Sequence, residues 1–161
     1  MFKSTVTRTL ALLVPLATLT ACSGEPDAVT FNNDIEVLLV GETTIEGSPA
    51  IAIAFGNNGQ TFCSITLKTS NIKRGFVYSS NHTFGGGLSA SCNSDSTHFT
   101  TSSKHPTQID LEILEVQPES QTITFQTHIK AVNVSQDNET YFELPSTTIS
   151  AKSPLFAAIL N

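Results

Sequence analysis

Apolar and polar residues alternate through much of the chain after residue 29, and this period of two restricts the fold more than any other feature. In AIAIAF (50–55), Ile51, Ile53 and Phe55 share one parity. Successive side chains of a β-strand point to opposite faces, so such a stretch predicts a strand with one buried and one solvated face. The same alternation recurs in segments 35–47, 60–69, 84–92, 107–116, 122–134 and 141–151.

Polar turn sequences separate these segments. GNNG (56–59) favours a hairpin because asparagine and glycine tolerate positive φ, and QPESQ (117–121) places a proline where it favours a turn. SQDNET (135–140) predicts a further turn. Seven to nine short strands at this spacing predict an all-β fold in a single domain spanning residues 29–161. We expect an antiparallel β-sandwich, with a small open β-barrel as the alternative.

Three segments of the sequence allow more specific structural predictions. Alternation through residues 35–47 assigns four residues to the core face: Ile35, Val37, Leu39 and Ile45. Pro145 cannot donate a backbone hydrogen bond, which predicts an edge or a bulge in the last long strand. Ser153 and Pro154 begin either a short helix or a final strand.

The first 21 residues have a different organisation. Lys3 and Arg8 give a positive start, LALLVPLATL (10–19) is apolar, and two small residues follow it. This layout is typical of a secretory signal peptide, because the apolar segment is too short to span a bilayer. We expect residues 1–21 to be a signal peptide that is removed.

The segment LTAC (19–22) resembles the lipobox of bacterial lipoproteins. The resemblance implies that cleavage occurs before Cys22, that this cysteine is lipidated, and that its acyl chains hold the mature chain on a membrane. Residues 22–28 would then be the lipidated cysteine and a short tether. Ser23 resembles the residue that follows the cysteine in outer-membrane lipoproteins, so we expect the protein in the cell envelope at the outer membrane.

Cysteine usage agrees with an exported chain. Setting Cys22 aside leaves Cys63 and Cys92, which both fall on the apolar parity of their segments. Pairing is the default in an oxidising compartment, so we predict a buried disulfide between them. The alternative is a thiol nucleophile or a metal pair, but the chain has no CxxC motif and no histidine within a few residues of either cysteine.

The charge balance narrows the class of partner. Loss of Lys3 and Arg8 with the signal peptide changes the formal net charge from −6 to −8. Among the remaining basic residues only Lys73 and Arg74 are adjacent. An acidic domain without a basic stripe argues against nucleic acid as a partner and against electrostatic docking on anionic lipid.

The motifs that resemble catalytic or cofactor sequences lack the context that their chemistry requires. SNIK (70–73) matches Ser-x-x-Lys without the companion motifs of penicillin-recognising enzymes, and FGGGLS (84–89) lacks the Gly-Lys-Ser/Thr ending of a phosphate loop. The histidines have no metal-ligand spacing: they are His82, His98, His105 and His128. We therefore predict no catalytic residue, no metal site and no cofactor.

The domain also resembles, in general style, small lipid-anchored β-sandwich proteins of bacterial envelopes whose function is unknown. We expect a non-enzymatic interaction or assembly module, anchored through Cys22, with an envelope protein as its partner. The alternative is a periplasmic carrier of a small ligand, a lipid or a metal. A carrier would need a cavity between the sheets, or histidines and carboxylates that converge.

Overall fold

The computed structural model describes residues 28–31, 34–57, 59–81, 86–135 and 138–160. Within these ranges the chain forms nine strands, a 3₁₀ turn at Thr69–Asn71 and one short helix. The elements are β1 (Glu36–Ile45), β2 (Ser48–Gly56), β3 (Thr61–Lys68), β4 (Val77–Asn81), β5 (Leu88–Ser94), β6 (Thr97–Thr100), β7 (Gln108–Gln117), β8 (Thr122–Ser135), β9 (Asn138–Lys152) and α1 (Pro154–Ile159).

The nine strands belong to one antiparallel sheet that is not closed. β1, β2, β3, β5 and β6 follow one another, and Thr100 of β6 pairs with Val132 of β8. β8 pairs with β9 and with β7, and β7 pairs in turn with β4. Phe55 of β2 and Phe125 of β8 are in ring contact, and residues of β2, β3, β7 and β8 line one interior cavity. The strands on either side of the β6–β8 junction therefore pack face to face as the two layers of a β-sandwich, the second layer being β4, β7, β8 and β9. The predicted all-β antiparallel fold is confirmed.

The hydrophobic core lies between the two layers. Phe55 of β2 and Phe125 of β8 meet edge-on with ring centroids 6.1 Å apart, which joins one layer to the other. Burying each large apolar side chain contributes about 1.5–3 kcal/mol, so this contact surface dominates the stability of the sandwich. The buried residues on the apolar parity of the alternating segments are Ile51, Ile53, Phe55, Cys63, Ile65, Leu67, Leu88, Ala90, Cys92, Ile109, Leu111, Ile113, Ile123, Phe125 and Ile129.

The prediction for β1 is wrong at Leu39 and at Ile45, which both lie on the face away from the core. A β-bulge between Val37 and Leu39 shifts the register, so that Val37 lies opposite Phe55 but Val40 lies opposite Ile53. A bulge adds one residue to one strand, and the parity of every later side chain is reversed. Leu39 is therefore 66% exposed, while Val40 packs against the core.

The last strand and the C-terminus resolve two open alternatives. The pairing of β8 with β9 shifts at Pro145, where Thr127 lies opposite Thr147 but Ile129 lies opposite Leu144, so the predicted bulge is present. The C-terminal segment is a helix rather than a strand. The Ser153 side chain caps it by accepting a hydrogen bond from the backbone N–H of Leu155 at 3.3 Å, as N-cap serines commonly do.

Other differences from prediction concern short or polar strands. β4 and β6 have five and four residues and were not anticipated, because neither carries a run of alternating apolar residues. β9 begins at Asn138, three residues before the predicted strand, so the predicted turn at 135–140 is too long. The polar residues at the start of β9 form a strand because they pair with the end of β8. The local sequence does not predict this pairing.

Residues 28–31 add a short extended segment to the edge of β9. The N–H of Val29 donates to the carbonyl of Tyr141 at 2.8 Å, and the N–H of Glu143 donates to the carbonyl of Val29 at 2.9 Å. Phe31 packs edge-on against Phe142 with centroids 5.2 Å apart. The predicted signal peptide and Cys22 lie outside the described residues.

Candidate functional site

Cys63 and Cys92 occupy directly opposed positions on β3 and β5. Both side chains are fully buried, and their sulfur atoms lie 1.99 Å apart, at disulfide distance. The bridge joins two neighbouring strands within the first layer. It is covered by the core, so it serves the scaffold and is not presented to a substrate.

A row of polar side chains crosses the outer face of β4, β7, β8 and β9. Ser79 donates a hydrogen bond to Asp110, and Nδ1 of His128 lies 3.3 Å from the other oxygen of that carboxylate. On the far side, Nε2 of His128 lies 3.8 Å from a carboxylate oxygen of Glu143. The register creates this row, because Ser79 lies opposite Asp110 and Asp110 lies opposite His128. We call these four residues the outer polar row.

Asp110 is the acceptor at the centre of the row. Partial burial raises the pKa of its carboxyl, but the hydrogen bonds from Ser79, His128 and Gln108 outweigh this and hold the pKa below its ordinary value. The Nε2 of Gln108 donates at 2.6 Å. Three donors on one carboxylate stabilise its charged form, so Asp110 is an anion at neutral pH.

The order of groups in this row differs from that of a nucleophilic relay. In a serine–histidine–aspartate relay the imidazole contacts the serine hydroxyl and the carboxylate orients the imidazole. Here Ser79 contacts the Asp110 carboxylate, and the His128 ring is held between Asp110 and Glu143. The groove beside the row has a volume of only about 160 Å³. The arrangement is suited to joining four strands by cross-strand pairs.

A second polar group covers the start of β9. His105 Nδ1 lies 2.9 Å from one oxygen of Glu139, and the hydroxyl of Tyr141 donates to the other at 2.6 Å. Burial and then the neighbouring carboxylate raise the pKa of Tyr141 to about 12. The Lys130 ammonium lies over the Tyr141 ring, 5.2 Å from its centroid. These contacts hold the β6–β7 loop against the sheet.

The described histidines lie apart from one another in three local networks. His98 Nδ1 contacts Asn93 at 3.0 Å, whereas His105 and His128 each contact carboxylates, and His82 lies outside the described residues. Within the described ranges, no group of three or more His, Cys, Asp or Glu side chains is arranged to hold a metal ion.

The described interior is closely packed where β2 and β3 face β7 and β8. The cavity lined by Ile53, Ile65, Leu111 and Phe125, among other core residues, has a volume of about 10 Å³. That is about the minimum space for one water molecule. A ligand of ordinary size does not fit in this part of the core.

An open groove lies at one end of the sandwich, and we call it the distal groove. It has a volume of about 550 Å³, within the range of pockets that hold small ligands or peptide side chains. Pro49 and Ile159 supply apolar surface, and Thr44 and Thr69 supply hydroxyls. Glu42 adds a carboxylate to the same lining.

The strand beside this groove is an edge. Among the described strands, β1 hydrogen-bonds only with β2, although it also lies near β9. Two large apolar side chains on it are exposed, Leu38 at 41% and Leu39 at 66%. Free backbone groups and exposed leucines together make a surface that another strand can cover.

Of the residues in the two polar groups, the sequence singled out only His105 and His128, and it did not predict what they contact. His128 lies half-buried on β8, between the buried residues Thr127 and Ile129. The contacts with Ser79 and Glu143 depend on strand order and register, which one sequence does not specify. The exposure of Glu42 beside Ile51 depends on the β1 bulge.

No helix in the described part of the chain is long and apolar enough to cross a membrane. Comparison with protein-family models, with curated proteins and with solved structures finds no significant match.

Proposed function

We propose that this chain is a lipid-anchored protein of the bacterial cell envelope that binds another protein through the edge of β1. It acts without catalysis, as an interaction or accessory module. The observation that carries the proposal is the ten-residue edge strand β1, which lacks a second strand partner among the described residues and exposes Leu38 and Leu39. Long edges with exposed apolar residues are normally blunted in monomeric proteins.

The anchor rests on the lipobox resemblance and fits the path of the chain. Six residues separate Cys22 from Val29, whose backbone is held by β9. Seven steps along a fully extended chain span at most about 25 Å. A lipid on Cys22 would therefore keep the Val29 end of the sandwich close to the bilayer, at the outer membrane if Ser23 acts as it does in similar lipoproteins.

The small volume of the described cavity between the layers supports an interaction module over a carrier. A carrier that holds a lipid between the layers needs a large apolar cavity. The cavity lined by Ile53, Ile65, Leu111 and Phe125 has a volume of only about 10 Å³. Binding at an outer edge needs no such space, because backbone hydrogen bonds and side chains on the strand surface supply the affinity.

The test is to purify the lipidated full-length protein from crosslinked cells and to identify what accompanies it by mass spectrometry. We expect one reproducible envelope protein, lost with Leu39→Glu and kept with Val77→Glu. Val77 is a matched control because it is 65% exposed on β4, the other end of the strand order. Recovery of a small molecule alone, or of no reproducible partner, would overturn the proposal.

A further inference from the structure

After the bulge, alternate side chains of β1 point to the inner face of the sheet. The second layer does not cover this part of the inner face. Glu42 lies opposite Ile51 and Thr44 lies opposite Pro49, so both side chains share the face of the buried isoleucine. Glu42 and Thr44 are nevertheless exposed. The distal groove occupies the space beside them, between β1 and α1.

The charge in this groove is uncompensated. The Glu42 carboxylate has no hydrogen bond or ion pair with any residue that the structure describes, and β1 contains Glu36 and Glu42 but no basic residue. The nearby Lys68 is already paired with Glu46 at 2.7 Å. A ligand that complements the groove therefore carries a positive charge beside apolar surface.

We propose that the distal groove and the free edge of β1 together receive an extended segment of the partner protein, one with a lysine or arginine between alternating apolar residues. The segment adds to β1 as a strand, and its backbone pairs with the free backbone groups of β1. The basic side chain pairs with Glu42, and apolar side chains of the same parity cover Pro49 and Ile159. This inference rests on the proposed function and specifies the chemistry of the partner.

The placement of the groove in the fold suits a partner that approaches from solution. Val29 pairs with β9 at Phe142, near the start of that strand, whereas α1 follows its end at Lys152. Ten residues of strand extend over about 33 Å. A lipid on Cys22 therefore holds the Val29 end near the bilayer and leaves the distal groove on the side that faces away.

A peptide selection tests the inference directly. The lipidated full-length protein, in detergent micelles, is used to select from a phage-displayed library of random nine-residue peptides. We expect enriched peptides with one basic residue between alternating apolar residues. Binding of the synthesised peptides should fall about fivefold with Glu42→Gln, the effect of losing one exposed ion pair, and more with Glu42→Lys.

Glu36→Gln is the matched control, because Glu36 is an exposed glutamate on the same strand but does not line the groove. Its affinity for the peptides should match that of the unaltered chain, and all variants should unfold at the same temperature. The inference fails if no peptide is enriched over a detergent-only selection, or if the enriched peptides bind Glu42→Lys as well as the unaltered chain. A partner that depends on Leu39 but not on Glu42 would refute this inference and leave the proposed function standing.

Discussion

Cys63 and Cys92 face each other across neighbouring antiparallel strands, with their Cα atoms 4.0 Å apart. The residues between them include the 3₁₀ turn, β4 and the start of β5. A disulfide here closes a loop between positions 29 residues apart, and it fixes the register of β3 and β5.

Removing this bridge should lower the free energy of unfolding without changing the fold. The chain-entropy account gives about 3–4 kcal/mol for a loop of this length. We expect that loss for Cys63→Ala/Cys92→Ala in urea unfolding, because alanine leaves no unpaired thiol. A non-reduced peptide map of the unaltered protein should contain one Cys63–Cys92 linkage. Two free thiols in that map would contradict the assignment.

Tyr141 should resist ionisation in the folded protein. Its pKa is raised to about 12 by burial and by the Glu139 carboxylate, against an ordinary value of 10. Because the folded pKa exceeds the unfolded one, this tyrosine contributes stability that is complete below pH 10 and is lost as the pH rises toward 12. Tyrosinate absorbance can follow it in Tyr78→Phe, which leaves one tyrosine. Glu139→Gln should lower the pKa of Tyr141 but not return it to 10, because the tyrosine hydroxyl remains buried.

Asp110→Asn should destabilise the outer polar row in a pH-dependent way. The pKa of Asp110 is held below its ordinary value of 3.8, so its stabilising effect is present above that pH and is lost as the pH falls through the folded-state pKa. Its side chain is 36% exposed, and solvent screening limits the loss at neutral pH to about 1 kcal/mol. The difference in free energy of unfolding between Asp110→Asn and the unaltered protein should shrink below pH 4. Asp34→Asn, at an exposed position, is the control.

The alternation of side chains was sufficient to predict the long strands and most of the core. Ile109, Leu111 and Ile113 alternate with polar residues, and only a strand places all three on one face. The pairing of Cys63 with Cys92 followed similarly from parity and cysteine number. These predictions succeed because they need only local geometry.

Predictions that depend on strand order were beyond a single sequence. Ser79 and His128 are 49 positions apart in the chain, yet both contact Asp110 because β4 and β8 flank β7. Nothing near Ser79 indicates a strand that pairs with β7. Pairing of exposed polar residues stabilises one strand register only slightly over another. Sequence patterns that predict which residues are buried therefore do not predict which polar residues lie opposite each other.

Cys22→Ser should release the protein from membranes. The lipobox resemblance predicts that this cysteine is acylated, and each buried methylene of an acyl chain contributes about 0.8 kcal/mol to membrane binding. We expect the variant in the soluble fraction after cell breakage and the unaltered chain in the membrane fraction. Cys63→Ala/Cys92→Ala should stay with the membrane. A Cys22→Ser protein that remained membrane-bound would argue against the anchor.

Leu39 and Val40 are adjacent residues that the β1 bulge separates into opposite environments. Uninterrupted alternation would make Leu39 the core residue, whereas the structure exposes it and places Val40 opposite Ile53. Leu39→Ala should therefore change the free energy of unfolding by less than about 0.5 kcal/mol, as expected for an exposed position. Val40→Ala removes partly buried methyl groups and should cost about 1 kcal/mol. Urea unfolding of the two variants decides the register, because a β1 without the bulge would reverse their order.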